Sequence, residues 1–307
     1  METFNERFLR LVSSKESHLC VGIDPDAVRV QSELALVVQR EMEAMQKNAD
    51  LSSFVENALS LLSSQGDDDG DDLEMPTRMK EAACRMLIRA TAPYAAVFKP
   101  NVAFFEDELA LLITAVDTIE EHAPEHIVIC DAKRGDIGNT SAQYAEIFLE
   151  RFEFDAITVN PLMGHDSVEP FLRNPERGAF LLCLTSNPGA SDFLLQNDLY
   201  KRIAEKAMKW NVNGNVGLVV GATRAEHAAA VREIAPDLPL LIPGVGAQGG
   251  SLPEILDAVD AKNNRAFVIN ASRALMFPGT DDPEEYEGAV ASEAEKLRDE
   301  IRRVISA

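Results

Sequence analysis

HIVICDAKRGDIGNT, residues 126–140, runs from an apolar stretch into four charges within six residues, Asp131, Lys133, Arg134 and Asp136. The apolar half is short, continuous and rich in Ile and Val, as a strand covered on both faces is. A solvated turn would carry the charges that follow at little cost. The choice between a turn and a site therefore depends on what the other strands of the chain end on.

Seven further runs share the pattern of HIVICD: LCVGID (19–24), AAVFKP (95–100), AITVNP (156–161), AFLLCLTS (179–186), VGLVVGAT (216–223), LPLLIPG (238–244) and AFVINAS (266–272). Between them lie segments with apolar positions at helical spacing, including TRMKEAACRMLIRA (77–90), DELALLITAVDTIEEH (107–122), LYKRIAEKAMKW (199–210) and TRAEHAAAVREIA (223–235). Several start near Thr, Ser or Asp, which cap helices. Eight strands alternating with helices predict a closed (β/α)8 TIM barrel in one domain over residues 1–307, since an open doubly wound sheet usually has fewer strands.

The first connection, about residues 27–94, is far longer than the others. It contains helical patterns at VQSELALVVQREMEAMQ (30–46) and SFVENALSLLSS (53–64) and no second set of strands, so it reads as a helical insertion. The acidic run QGDDDGDDLEMP (65–76) lacks the glycine and glutamate positions of an EF-hand and reads as a solvated, mobile loop.

The chain has 307 residues, 46% of them hydrophobic, with 51 acidic against 29 basic residues and a formal net charge of -22. That charge argues against general affinity for nucleic acid or anionic membranes. An anionic ligand would need a local positive site. The abundance of Asp and Glu resembles adaptation to high salt, a hypothesis that full activity and stability in low salt would refute. Cys20, Cys84, Cys130 and Cys183 are widely spaced, without a C-x-x-C pattern, and read as small buried hydrophobes in a reducing cytoplasm. METFNERFLRLVSS is too charged for a signal peptide, and no apolar run is long enough to span a bilayer. A soluble, cytoplasmic protein is expected.

In such a barrel, chemistry sits at the C-terminal strand ends. Those ends carry Asp24, then Lys99 and Asn101, Asp131 with Lys133, Asn160, Ser186 with Asn187, Gly221 with Thr223, GVGAQGG (244–250), and Ser272 with Arg273. Eight polar strand ends make a site a better reading of DAKRGD than a solvated turn. GVGAQGG contains G-x-G-x-x-G but follows the seventh strand instead of the first, and the eighth ends in Ser-Arg without an acid for a ribose. This favours a phosphate grip, with Gln248 and Arg273 as donors, over a dinucleotide site. Asp131 and Lys133, two apart, share one face of an extended segment, and Lys99 and Asp24 can join them across the mouth. Such alternating charges keep each lysine protonated, which suits proton delivery and disfavours the Schiff base of a class I aldolase.

DAKRGDIGNT matches the D-x-K-x-x-D-I-x-x-T signature of the orotidine 5'-phosphate decarboxylase family, and FKPN with AFFE, LTSNPGA and GVGAQGG follow in the family's order. The resemblance extends from GIDPD at 22 to INASRALMF ending at 277. KPNVAFFE and the long insertion resemble the family's longer, bacterial-type branch, and the fused orotate phosphoribosyltransferase of some forms is expected to be absent. The resemblance implies that Lys133 protonates C6 of the pyrimidine and that Asp131 lies near the substrate carboxylate. It implies that Lys99 and Asp24 hold the ribose hydroxyls and complete the charge network, that Ser186 meets the pyrimidine amide, and that Gln248 and Arg273 hold the 5'-phosphate. Asn101, Gly249 and Ser272 complete the expected substrate site. Asp136 and Thr140 are expected to reach the site of a partner in a homodimer. No cofactor and no metal are expected, and the five histidines share no motif. Two rivals remain: a magnesium-dependent sugar-phosphate decarboxylase on the same D-x-K-x-x-D barrel, and a noncatalytic nucleotide-phosphate binding protein.

Overall fold

The computed structural model describes residues 2–47, 71–246 and 249–306. Its strands are β1 (Leu19–Ile23), β2 (Val97–Pro100), β3 (Ile127–Arg134), β4 (Ala156–Val159), β5 (Gly178–Leu184), β6 (Val216–Val220), β7 (Leu240–Pro243) and β8 (Phe267–Ala271). They pair in parallel in chain order, and β8 closes on β1 with Leu19 opposite Ile269. Each of the eight expected runs is a strand of this barrel.

The continuous apolar runs divide by the two-residue period of a strand into two cores. Leu19, Val21, Phe98, Val128, Cys130, Ile157, Leu181, Leu218 and Ile269 pack outward against the helices. Cys20, Val97, Ile127, Ile129, Ala156, Phe180, Val219, Leu241 and Val268 pack inward, together with Phe4, Phe8, Leu11 and Val12 of the helix Phe4–Ser14. That helix closes the N-terminal end of the barrel. Thr3 and Glu6 form its capping box, with Thr3 N–H donating to Glu6 Oε2 at 2.8 Å and Glu6 N–H to Thr3 Oγ1 at 3.3 Å. A Cβ on Gly178 would lie 2.4 Å from the Phe4 ring, and one on Gly217 would lie 2.5 Å from Phe180, so glycine is what admits these rings.

Between β1 and β2 the described residues form the helices Ala27–Glu33, Ala35–Lys47 and Asp71–Thr91. The expected helix at 53–64 lies outside the described residues, as do residues 65–70 of the acidic run. From Asp71 that run is helix where a loop was expected; acidic residue types are favoured at a helix start, so the same charges suit both readings. Arg89 bonds Glu41 at 3.0 Å and also pairs with Glu287 on the C-terminal helix Tyr286–Ser306. Lys80 Nζ donates to Glu108 Oε2 at 2.6 Å and to the Phe104 carbonyl at 3.2 Å, tying the Asp71–Thr91 helix to the loop after β2. All four cysteines are buried and unpaired. Among the described residues, no helix is long and apolar enough to cross a membrane.

Candidate active site

The inward positions turn polar at the C-terminal mouth. Register places Gly22 beside Lys99, and an isolated bridge continues the β2–β3 pairing from Asn101 to Asp131. Lys99 Nζ donates to Asp131 Oδ2 at 2.7 Å and Lys133 Nζ to Asp131 Oδ1 at 2.6 Å, so one carboxylate bridges two ammonium groups. Thr158, inward on β4, donates its hydroxyl to Asp131 Oδ1 at 3.0 Å and accepts the Lys133 N–H at 2.9 Å. Strand alternation alone does not bring Lys133 here, contrary to expectation. The β3–β4 register slips between Cys130 and Arg134, and Lys133 has φ 48°, so a local left-handed turn aims its side chain.

The charges at this mouth are held by their neighbours. Burial acts to raise the Asp131 carboxyl, but Lys99 and then Lys133 outweigh it and hold Asp131 well below the usual carboxylate range. Burial acts to lower Lys99, yet Asp131, with Asp24 next, raises it above the ordinary lysine value. The Lys99 side chain is 6% exposed, whereas that of Lys133 is 52% exposed. Lys133 is therefore the ammonium a ligand can reach.

The other expected site residues that are described lie beyond the C-terminal ends of strands. Asp24 follows β1, and its buried Oδ1 has no hydrogen-bond partner among the described residues. Asn101 follows β2 and accepts the Ala103 N–H at 3.3 Å. Asp136 accepts the Ile137 N–H at 2.7 Å, and Thr140 is exposed on the helix Gly138–Ala145. Ser186 follows β5, its carbonyl accepting the Thr223 hydroxyl at 3.0 Å. Ser272 follows β8 and accepts from Asn270 Nδ2 at 3.3 Å; a side chain on Gly22 would collide with its hydroxyl. Arg273 begins the short turn Arg273–Met276 and is exposed. Its strand neighbours β7, which leads into the GVGAQGG loop, since Pro243 lies beside Asn270.

In that loop Gly244, Gly246 and Gly249 have φ 97°, 68° and 87°, values that side-chain-bearing residues rarely adopt. The Gly249 N–H bonds back to the Gly246 carbonyl at 2.7 Å. Gln248 lies outside the described residues. Among the described residues no three His, Cys, Asp or Glu side chains converge as a metal site requires. Sequence reasoning missed Thr158 and Asn270; the signal was an inward polar residue inside an apolar run, as in AITV.

The family model described as Orotidine 5'-phosphate decarboxylase / HUMPS family matches residues 17–288. A Janthinobacterium sp. (strain Marseille) protein named orotidine 5'-phosphate decarboxylase is 36% identical over 314 residues, covering 99% of this chain and 100% of its own length. Among solved structures, Leishmania donovani OMP decarboxylase superposes with a TM-score of 0.70 at 34% identity, over 98% of this chain and 99% of that one. Leishmania donovani UMP synthase superposes with a TM-score of 0.73 at 35% identity; this chain is wholly covered but spans 57% of that longer protein. Full-length similarity to a bacterial relative agrees with the branch indicated by KPNVAFFE. The chain belongs to the orotidine 5'-phosphate decarboxylase / HUMPS family, as a carboxy-lyase of its longer, bacterial-type branch.

Proposed function

We propose that the chain converts orotidine 5'-phosphate to uridine 5'-phosphate and carbon dioxide, in de novo pyrimidine synthesis in the cytoplasm, without a cofactor. The observation that carries this reading is Asp131 held ionised between buried Lys99 and half-exposed Lys133. Cleaving the bond from C6 to its carboxylate releases carbon dioxide and leaves the electron pair on C6. No cofactor absorbs that charge, so a fixed ammonium must stabilise it as it develops. Lys133 supplies the ammonium and then donates its proton to C6. Asp131 lies near the departing carboxylate and orients Lys133.

Lys99, Asp24 and Asn101 hold the ribose side, Ser186 the pyrimidine amide, and Gln248, Gly249, Ser272 and Arg273 the phosphate end. Contacts remote from the reacting carbon then supply binding energy that orders the site. Asp136 and Thr140 serve the site of a homodimer partner, in keeping with the exposed Ile137, Gly138, Asn139 and Thr140 and with the absence of a bond from Asp136 to Lys133. The 27–94 segment is an insertion in a single barrel domain, braced by Arg89 and Lys80.

The test is release of carbon dioxide from orotidine 5'-phosphate by the purified chain, with and without EDTA. Turnover insensitive to EDTA is expected. Uridine 5'-phosphate binding without carbon dioxide release would favour the noncatalytic rival, and magnesium-dependent turnover of a sugar phosphate would favour the other.

A further inference from the structure

Two charged residues of the sequence motifs have no task in this chemistry: Glu106, which ends KPNVAFFE, and Arg134, which lies between Lys133 and Asp136. The fold pairs them. Arg134 Nη2 donates to Glu106 Oε1 at 2.7 Å, joining the loop after β2 to the end of β3. The guanidinium carbon also lies 5.3 Å from the centre of the Tyr144 ring and 5.6 Å from that of Phe148, within cation–π range. Arg134 is largely covered, with 24% of its side chain exposed, against 60% for Glu106.

This clamp sits directly after the strained turn. A positive φ is uncommon for a non-glycine residue and persists only where its surroundings hold it. On the N-terminal side of Lys133 the anchor is the bond from its N–H to Thr158 Oγ1, at 2.9 Å. On the C-terminal side the anchor is Arg134, which pairs with Val159 and whose carbonyl accepts the Asn160 N–H at 2.7 Å. The clamp also connects the two strands, β2 and β3, that deliver Lys99 and Lys133 to Asp131.

We infer that Arg134 is a positioning residue for Lys133, its ion pair with Glu106 and its contacts with Tyr144 and Phe148 fixing the left-handed turn that aims the Lys133 ammonium into the mouth. The inference rests on the role proposed above for Lys133. It reaches the reaction through geometry, because a misplacement of about 1 Å can cost about 100-fold in rate.

The experiment compares wild type, Arg134→Met, Arg134→Lys and Glu106→Gln for kcat and KM with orotidine 5'-phosphate, uridine 5'-phosphate affinity and thermal melting. Arg134→Met is expected to lower kcat about 10- to 100-fold while KM and product affinity change less than about threefold. Arg134→Lys keeps the charge but loses the planar fork over the rings, and is expected to recover part of the loss. Glu106→Gln should show a smaller fall in kcat in the same direction. A crystal structure of Arg134→Met is expected to show Lys133 out of the left-handed region or its contact with Asp131 broken. The inference is overturned if Arg134→Met keeps kcat within about twofold of wild type, or loses product affinity as steeply as kcat. If that variant does not fold, unchanged kcat in both Arg134→Lys and Glu106→Gln overturns it. Absence of turnover in wild type would instead refute the decarboxylase reading, and the Lys133 geometry in the variant crystal would still decide the role of Arg134.

Discussion

The floor and the mouth of this barrel are lined by the same strands and treat charge in opposite ways. On β2, Val97 belongs to the floor and Lys99 to the mouth, two residues or roughly 7 Å apart. At the floor, Phe4, Phe8 and Phe180 pack ring against ring, with Phe4 edge-on to Phe180 at 5.9 Å. His18, at the floor end of β1, donates from Nδ1–H to the Phe267 carbonyl at 2.8 Å and stacks on the Phe267 ring. Burial pushes its pKa down to about 4, against the weaker upward pull of that carbonyl. Lys99 is buried as deeply, yet its charge is reinforced. The difference lies in the partner: a backbone carbonyl does not offset the cost of desolvating an ion, whereas an ionised carboxylate does. The fold thus excludes charge where it needs packing and holds charge where a reaction can use it.

The contrast breaks most dramatically at the mouth. In the proposed homodimer, Lys133→Ala and Asp136→Ala are each expected to lose at least about 1,000-fold in kcat. Mixing them one to one under conditions of subunit exchange should restore about a quarter of wild-type activity, because half of the dimers then carry one intact site. Demonstrated exchange without recovery would place both groups of a site in one chain.

At the floor the expected loss is in stability. Phe8→Ala should cost about 3–5 kcal/mol in denaturant unfolding while kcat per folded molecule stays unchanged. An equal loss of kcat at full occupancy of the folded state would show that floor and mouth are not separable.

The charge rule itself can be sharpened with His18. Its folded pKa is depressed, so its stabilising contribution is fully present above the unfolded value of 6.5 and is lost as the pH falls toward 4. Across that window wild type should lose about 3 kcal/mol more than His18→Gln, read from unfolding curves at each pH. Parallel stability profiles would mean that His18 is not held neutral.

Much of this contrast was legible in the sequence. The eight apolar runs marked the strands, because parallel strands covered on both faces need no polar alternation, and the charges after them marked the mouth. Lys99, Asp131 and Lys133 were found because they stand at run ends. Thr158 was not, since a threonine inside AITV has the β-branched shape of its neighbours. The floor was also missed: Thr3 and Glu6 as a capping box, followed by Phe4, Phe8, Leu11 and Val12, spell an amphipathic helix, but the segment was read only for export signals. The left-handed turn at Lys133 has no sequence signature, because lysine is not a residue that seeks positive φ. Only the fold around it, from Thr158 to Arg134, makes that conformation tenable.

The central claim is that Lys133 acts on the reacting carbon while the rest of the mouth binds. It is tested most directly by measuring kcat and uridine 5'-phosphate affinity for Lys133→Ala side by side. The account predicts that kcat falls at least about 1,000-fold while product affinity stays within about tenfold of wild type. Substantial residual turnover, or an affinity loss as large as the loss in kcat, would contradict it.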